Sequence, residues 1–271
     1  MDDGERWDER WIVGTDWLQA RLGQPGLRVV DVRSPDQYAR AHIPGAVNCD
    51  VSALNVVDSS PAGVRDFERR LQAELRRLGV RPGDRVAFYE DFAGPAAAYG
   101  VWMIDYAGVA DGRFLDGGLA AWIEAGGPVT REPPSPAPSD IAIALRREAL
   151  ATADEIAAGL TAPQSPMLLD TRNDLEWAAG VIPGAVHLEW IAQLQPDGSL
   201  RSPAEARQRY AAAGIQPGET RPIVPYCGSG YRAAHAYVLL RALGCGNVRN
   251  YAGSWGEWSR RPDLPVERPA S

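Results

Sequence analysis

Cys227 stands between an apolar run, Ile223-Val224-Pro225-Tyr226, and a second apolar stretch that starts at Tyr231; only Gly228, Ser229 and Gly230 join them. The pattern is a strand, a tight turn and a helix. A thiol at that junction lies over a helix N-terminus, where unpaired N–H groups and the helix dipole favour negative charge. The thiolate is the nucleophilic form of cysteine. Gly228 and Gly230 allow the backbone to fold into a nest of N–H groups aimed at one point. A buried cysteine in such a turn often only packs, but neither the glycines nor the following Arg232 is needed for packing. The chemistry that these residues suggest is attack by sulfur.

Other candidates lie where the strands of an open α/β sheet end, since ligands bind beyond the carboxyl ends of such strands. Asp170 and Arg172 follow Met167-Leu168-Leu169 and belong at the same edge as Cys227. An arginine there can grip an anion through two parallel hydrogen bonds. Asp170 reads more as a partner that fixes the loop, because Asp31 and Arg33 repeat the pair elsewhere; for Arg172 both roles are open. His42 precedes Ile43-Pro44-Gly45, whereas Val181 stands at the matching place before Ile182-Pro183-Gly184. A histidine kept on one side only could reach across an interface, or could simply sit in a surface loop.

The elements that position these residues are written twice. Val29-Val30-Asp31-Val32-Arg33 aligns with Leu168-Leu169-Asp170-Thr171-Arg172, and Ile43-Pro44-Gly45-Ala46-Val47 with Ile182-Pro183-Gly184-Ala185-Val186, at the same offset. Gly79-Val80-Arg81-Pro82-Gly83-Asp84 answers Gly214-Ile215-Gln216-Pro217-Gly218-Glu219, and Asp116-Gly117-Gly118-Leu119-Ala120-Ala121-Trp122 answers Ala252-Gly253-Ser254-Trp255-Gly256-Glu257-Trp258. Blocks repeated in one order mark a tandem duplication. The residue that matches Cys227 in the first copy is Glu90, so that copy is expected to be catalytically silent and to supply an interface. Short apolar runs at Val29–Val32, Val86–Tyr89, Met167–Leu169 and Ile223–Tyr226 alternate with helical segments, notably Ala96–Ala107 and Tyr231–Leu243. Such runs indicate parallel strands buried on both faces. The expected fold is α/β: two tandem domains, each an open mainly parallel sheet flanked by helices. The first spans 8–127 and the second 149–267, with a proline-rich linker at 128–148 whose prolines favour extended chain.

Composition narrows the function. A chain of 271 residues with 45% hydrophobic and 23% charged residues is globular. The net charge of −7 argues against nucleic acid or an anionic membrane as partner. Three cysteines at 49, 227 and 245 and three histidines at 42, 187 and 235 show no metal-type spacing, so neither a metal nor a cofactor is expected. The acidic start, Met1-Asp2-Asp3-Gly4-Glu5-Arg6-Trp7, lacks the basic and apolar regions of a signal peptide, and the expectation is a cytoplasmic, monomeric protein with reduced thiols.

Together these motifs resemble the tandem-domain rhodanese-type sulfurtransferases over nearly the whole chain: two Asp-x-Arg strand ends, two Ile-Pro-Gly-Ala motifs, the Cys227 loop and Gly-Ser-Trp-x-Glu-Trp at 253–258. The resemblance implies that Cys227 takes a sulfur atom from a donor, becomes a persulfide and passes the outer sulfur to an acceptor such as cyanide, a small thiol or thioredoxin. Cys227-Gly228-Ser229-Gly230 is similar to the 3-mercaptopyruvate branch, which makes 3-mercaptopyruvate the expected donor and thiosulfate the alternative. The resemblance also implies a proton relay of Ser229, His42 and a nearby carboxylate, for which Asp31 is the candidate. Donor binding would fall to Arg172, Arg232, Gly228, Gly230 and Tyr231. The chain departs from that branch in carrying Tyr231-Arg232 where Val-Thr is usual. It also has no second arginine in Asn173-Asp174-Leu175-Glu176-Trp177, so Arg232 is expected to replace it as the anion anchor.

Two other classes compete. A related fold hosts cysteine phosphatases, but these have five residues between cysteine and arginine. Four residues separate Cys227 from Arg232, too small a ring of amides for a phosphate tetrahedron. A non-catalytic persulfide-binding or redox-sensing module is the other alternative, and the intact glycines and cysteine of the second copy argue against it.

Overall fold

The computed structural model describes residues 6–269; the acidic start, 1–5, lies outside them. In the first copy β1 (Ile12–Val13) and α1 (Thr15–Gln19) precede β2 (Leu27–Asp31), α2 (Pro35–Arg40), β3 (Val47–Asn48) and α3 (Pro61–Arg77). Then come β4 (Arg85–Tyr89), α4 (Pro95–Ala107), β5 (Asp111–Leu115) and α5 (Gly118–Glu124). The second copy runs α6 (Ala153–Gly159), β6 (Met167–Asp170), α7 (Asp174–Ala179), β7 (Val186–His187), α8 (Pro203–Ala212), β8 (Ile223–Tyr226), α9 (Tyr231–Ala242) and α10 (Ser254–Trp258). The first sheet is parallel throughout, in the order β1-β5-β4-β2-β3. The second has the order β7-β6-β8, again parallel. This is the α/β architecture expected from the apolar runs, each of which forms a strand.

The second sheet is narrower for a local reason. The chain at 247–251 runs along β8 as β5 runs along β4, and Ile223 N–H donates to Asn247 while Arg249 and Tyr251 donate to Ile223 and Pro225. Pro225 has no N–H to donate in return, so the ladder breaks and only the bridge between Ile223 and Val248 remains. Helix starts follow from sequence. Ser34 with Gln37, Asn173 with Glu176 and Ser202 with Glu205 form capping boxes, each satisfying two orphan donors.

The linker is not a free spacer. Its extended chain is tied to the first copy: Thr130 pairs with His42, Ser139 N–H donates to Arg76, and Ala144 and Arg146 donate to Ala107 and Tyr106. The two halves meet through α4 and α9, the helices that follow β4 and β8. Both are buried almost throughout, and one apolar cluster containing Phe88, Trp102, Ile223 and Leu240 runs through the interface. Tyr237 on α9 donates to Asp105 on α4, which also holds Arg146 at 2.6 Å. Trp102 stacks on Phe67 and donates its indole N–H to the Ala149 carbonyl at 2.9 Å. Trp102→Ala leaves a cavity in this shared core and is expected to lower unfolding free energy by about 3–5 kcal/mol. Because the core is common to both halves, urea denaturation should show the loss in a single transition rather than two.

Candidate active site

Cys227 is the residue after β8, and α9 starts four residues later. The connecting turn puts the backbone N–H groups of Ser229 and Gly230 at 3.4 and 3.1 Å from the Cys227 sulfur. Negative charge on sulfur is thus met by two donors and by the positive end of a twelve-residue helix. Gly230 has φ of +91°, and a Cβ there would lie 2.6 Å from the Ala252 carbonyl oxygen, so only glycine fits.

The turn is clamped from the far side by 253–258. Trp255 and Gly256 N–H groups donate to the carbonyls of Cys227 and Gly228, both at 2.9 Å. Cys227 N–H donates to the Ser254 hydroxyl at 3.0 Å, and that hydroxyl donates to the Tyr251 carbonyl at 2.7 Å. Ser254 has φ of +54°, a conformation strained for a residue with a side chain. Its counterpart Gly118 adopts φ of +57° without that cost. The second copy carries a strained serine whose hydroxyl accepts the Cys227 N–H.

Arg232 stands beside the turn, its Nη2 3.2 Å from where a Cβ on Gly228 would lie, and its fork is closed by Glu176 through two hydrogen bonds of 2.6 and 2.8 Å. The Glu176 carboxylate raises the Arg232 guanidinium, and Arg232 in turn holds Glu176 below the usual carboxylate range. Sequence reasoning missed Glu176. The Asn-x-x-Glu capping pattern that places it on the first turn of α7, at the carboxyl edge of the sheet, was the available signal. Ser254 was part of a quoted motif, but its contact with Cys227 depends on the turn conformation.

The matching turn of the first copy shows what replaces the thiol. Glu90 accepts N–H bonds from Ala96 and Ala97 at 2.8 and 3.1 Å, so a carboxylate occupies the N-terminus of α4. Burial pushes this carboxyl up to about 6, against the pull of those two N–H groups.

A rhodanese-like domain model matches residues 14–125 and again 152–261. The chain belongs to the rhodanese-like sulfurtransferase family. It is similar to the thiosulfate sulfurtransferase of Azotobacter vinelandii, with 35% identity over 257 residues that cover 92% of this chain and 94% of that protein. It is 29% identical to the 3-mercaptopyruvate sulfurtransferase of Escherichia coli (strain K12) over 287 residues, 95% of this chain and 98% of that one. The crystal structure of SseA from Escherichia coli, described as a 3-mercaptopyruvate sulfotransferase with a rhodanese fold, superposes with a TM-score of 0.77 at 26% identity, covering 90% of this chain and 98% of that chain.

The structure brings together Cys227, the amides of the glycine turn, exposed Ser229 and Arg232; it sends other expected site residues elsewhere. Asp31 is fully buried, with both oxygens bonded to Arg33. His42 is 0% exposed; its ring is stacked on Tyr38, Nδ1 is 2.8 Å from the Tyr38 carbonyl and Nε2 is 3.2 Å from the Glu132 carbonyl. Neither residue has a hydrogen bond to the other or to the Cys227 turn, so the expected relay is not assembled. His42 pairs with the linker because a β-bridge to Thr130 draws Glu132 over its ring. Arg172 binds Asp170 with Nε and Nη2, donates to the Gly180 carbonyl at 2.7 Å and lies over the Trp255 ring. Arg33 makes the same two attachments, to Asp31 and to the Ala41 carbonyl. That repetition shows Arg172 bracing the loop as Arg33 does in the first copy. Tyr231 stacks on Tyr99 at 4.4 Å and donates its hydroxyl to the Val51 carbonyl, so it pins the first copy beside the turn.

Two outcomes follow from this geometry. Gly230→Ala combines a left-handed backbone with a clash against Ala252; it should abolish measurable sulfur transfer and cost about 1–3 kcal/mol in a urea titration. Glu90→Gln tests the silent turn. The Glu90 carboxyl is raised in the fold, so its contribution is fully present below about 4.5 and is lost as pH rises through about 6. Relative to wild type, the Gln variant should therefore gain up to about 2 kcal/mol between those values, read from urea midpoints at pH 4.5 and 7.5.

Proposed function

We propose that the protein is a thiosulfate-type sulfurtransferase working through a Cys227 persulfide. The observation that carries this reading is that two backbone N–H groups reach the Cys227 sulfur and Arg232 stands beside the same turn, while His42 and Asp31 are bonded elsewhere. The Cys227 thiolate attacks the outer sulfur of thiosulfate; the S–S bond of the donor breaks and its electron pair leaves with sulfite. The enzyme then carries Cys–S–S⁻, whose charge is met by the same amides and by Arg232. An acceptor thiolate or cyanide attacks the outer sulfur, and the electron pair of the persulfide bond returns to Cys227. Sulfite departs as an anion, so no proton donor is required.

A second reading, with 3-mercaptopyruvate as donor, is favoured by the exposed Ser229 hydroxyl at the mouth of the turn. There the carbon–sulfur bond breaks and the proton of the donor thiol must reach the leaving enolate. All three cysteines are unpaired, which suits a reducing compartment such as the cytoplasm, and the acceptor is a small thiol or a thioredoxin-like protein. No helix among the described residues is long and apolar enough to cross a membrane.

The test is sulfur transfer to cyanide with the two donors compared side by side. A higher kcat/KM for thiosulfate is the expected result; a higher value for 3-mercaptopyruvate selects the second reading. Cys227→Ser should lose turnover with either donor and should not gain one sulfur atom in mass after donor treatment. Retained turnover in that variant defeats both readings.

A further inference from the structure

The Nη1 and Nη2 groups of Arg232 are already engaged. Glu176 holds them with two short hydrogen bonds, and the two side chains are only 24% and 34% exposed. Cys227 itself is 1% exposed. Gly228 leaves room beside the pair: a Cβ there would stand 3.2 Å from Arg232 Nη2 and 3.9 Å from Glu176 Oε1. An anionic donor arriving at the sulfur therefore meets a guanidinium that already holds a carboxylate.

We propose that Glu176 determines donor specificity: its carboxylate stands in for the anionic end of the donor in the Arg232 fork, and donor binding is an exchange of one anion for another. The inference rests on the reading of the protein as a sulfurtransferase with an anionic donor. A group with two negative charges and three oxygens, such as the sulfonate-like end of thiosulfate, competes better for a paired guanidinium than a single carboxylate does. The occupied fork thus raises KM for every anion and discriminates against the weaker ones.

The duplication supplies an internal comparison. The residue matching Glu176 is Gln37, which stands at the same capping position of its helix and also reaches the turn, donating to Asp91 at 2.7 Å. Position and cap are shared, but the partners differ: in the first copy a neutral amide donates to an acid on the turn, and in the second a carboxylate accepts from Arg232, the second residue of α9. Capping alone therefore does not require a carboxylate here, because glutamine caps the equivalent helix. Arg232 also holds Glu176 below the usual carboxylate range, so the pair stays ionised through neutral pH and the exchange does not depend on protonation.

Glu176→Gln tests the proposal while keeping the capping box, as Gln37 does. Two readouts separate charge from structure. The first is the ratio of Cys227 alkylation rates by iodoacetate, an anion, and by iodoacetamide, its neutral analogue, followed by peptide mass mapping. The second is KM for thiosulfate together with the inhibition constant of sulfate. The variant is expected to raise the alkylation ratio and to lower KM and the sulfate constant, each by about tenfold at low ionic strength, with the gain shrinking as salt is added. In Glu176→Gln/Arg232→Met the gain should vanish. An unchanged ratio, a higher KM, or a gain that survives loss of Arg232 overturns the proposal. Should the ratio rise while the wild-type protein takes no sulfur from thiosulfate, the exchange stands and the choice of donor falls.

Discussion

The site depends on a backbone clamp. The Cys227 turn points its amides at the sulfur because the 253–258 segment is hydrogen-bonded across it, holding the carbonyls of Cys227 and Gly228 from behind. With its carbonyls engaged on one side, the turn has its N–H groups free to face the other. Close approach of the two backbones excludes side chains: a Cβ on Gly256 would stand 2.7 Å from the Gly228 oxygen. The same closeness accounts for the strain at Ser254, whose hydroxyl bridges the two strands of the clamp. The placement of N–H groups around the Cys227 sulfur is a property of main-chain geometry.

Duplication lets one frame hold two different side chains, Glu90 and Cys227, at the start of a buried helix. Both copies close the strand end with an Asp–Arg bolt and both start a buried helix from the same kind of turn. Backbone N–H groups at a helix N-terminus need acceptors, and the chain supplies the Glu90 carboxylate in one copy and the Cys227 sulfur in the other. The first copy also shapes the second site, since Tyr231 is held between Tyr99 and the Val51 carbonyl, and Ser59 donates N–H and hydroxyl to Glu257 at 2.7 and 2.9 Å. The hydroxyl of Ser59 in turn accepts the N–H of Ala153 at 2.9 Å, linking the start of the second copy to the same point. The first half is thus part of the wall that keeps the turn in place.

Electrostatics at the site are local. The chain carries a net charge of −7, which repels anionic donors at long range at low salt. Positive charge and donors beside Cys227 are confined to contacts within a few ångströms, the two amides and the Arg232 fork, in surroundings where burial strengthens them.

The sequence by itself determined the duplication, the strands and the chemistry of the turn, because apolar runs, glycine spacing and a cysteine before a helix act through bonded neighbours. Only the tertiary structure decided partners. Glu176, fifty-six residues before Arg232 in the chain, meets it only after α7 and α9 reach one edge of the sheet. His42 turned to the linker, and Arg172 bonded Asp170 and the Gly180 carbonyl, because packing set which backbone carbonyls and carboxylates lay nearest. Residue types restrict what a side chain can do; the fold determines which of its possible partners lies within hydrogen-bond reach, since that interaction fades within an ångström or two beyond its ideal length.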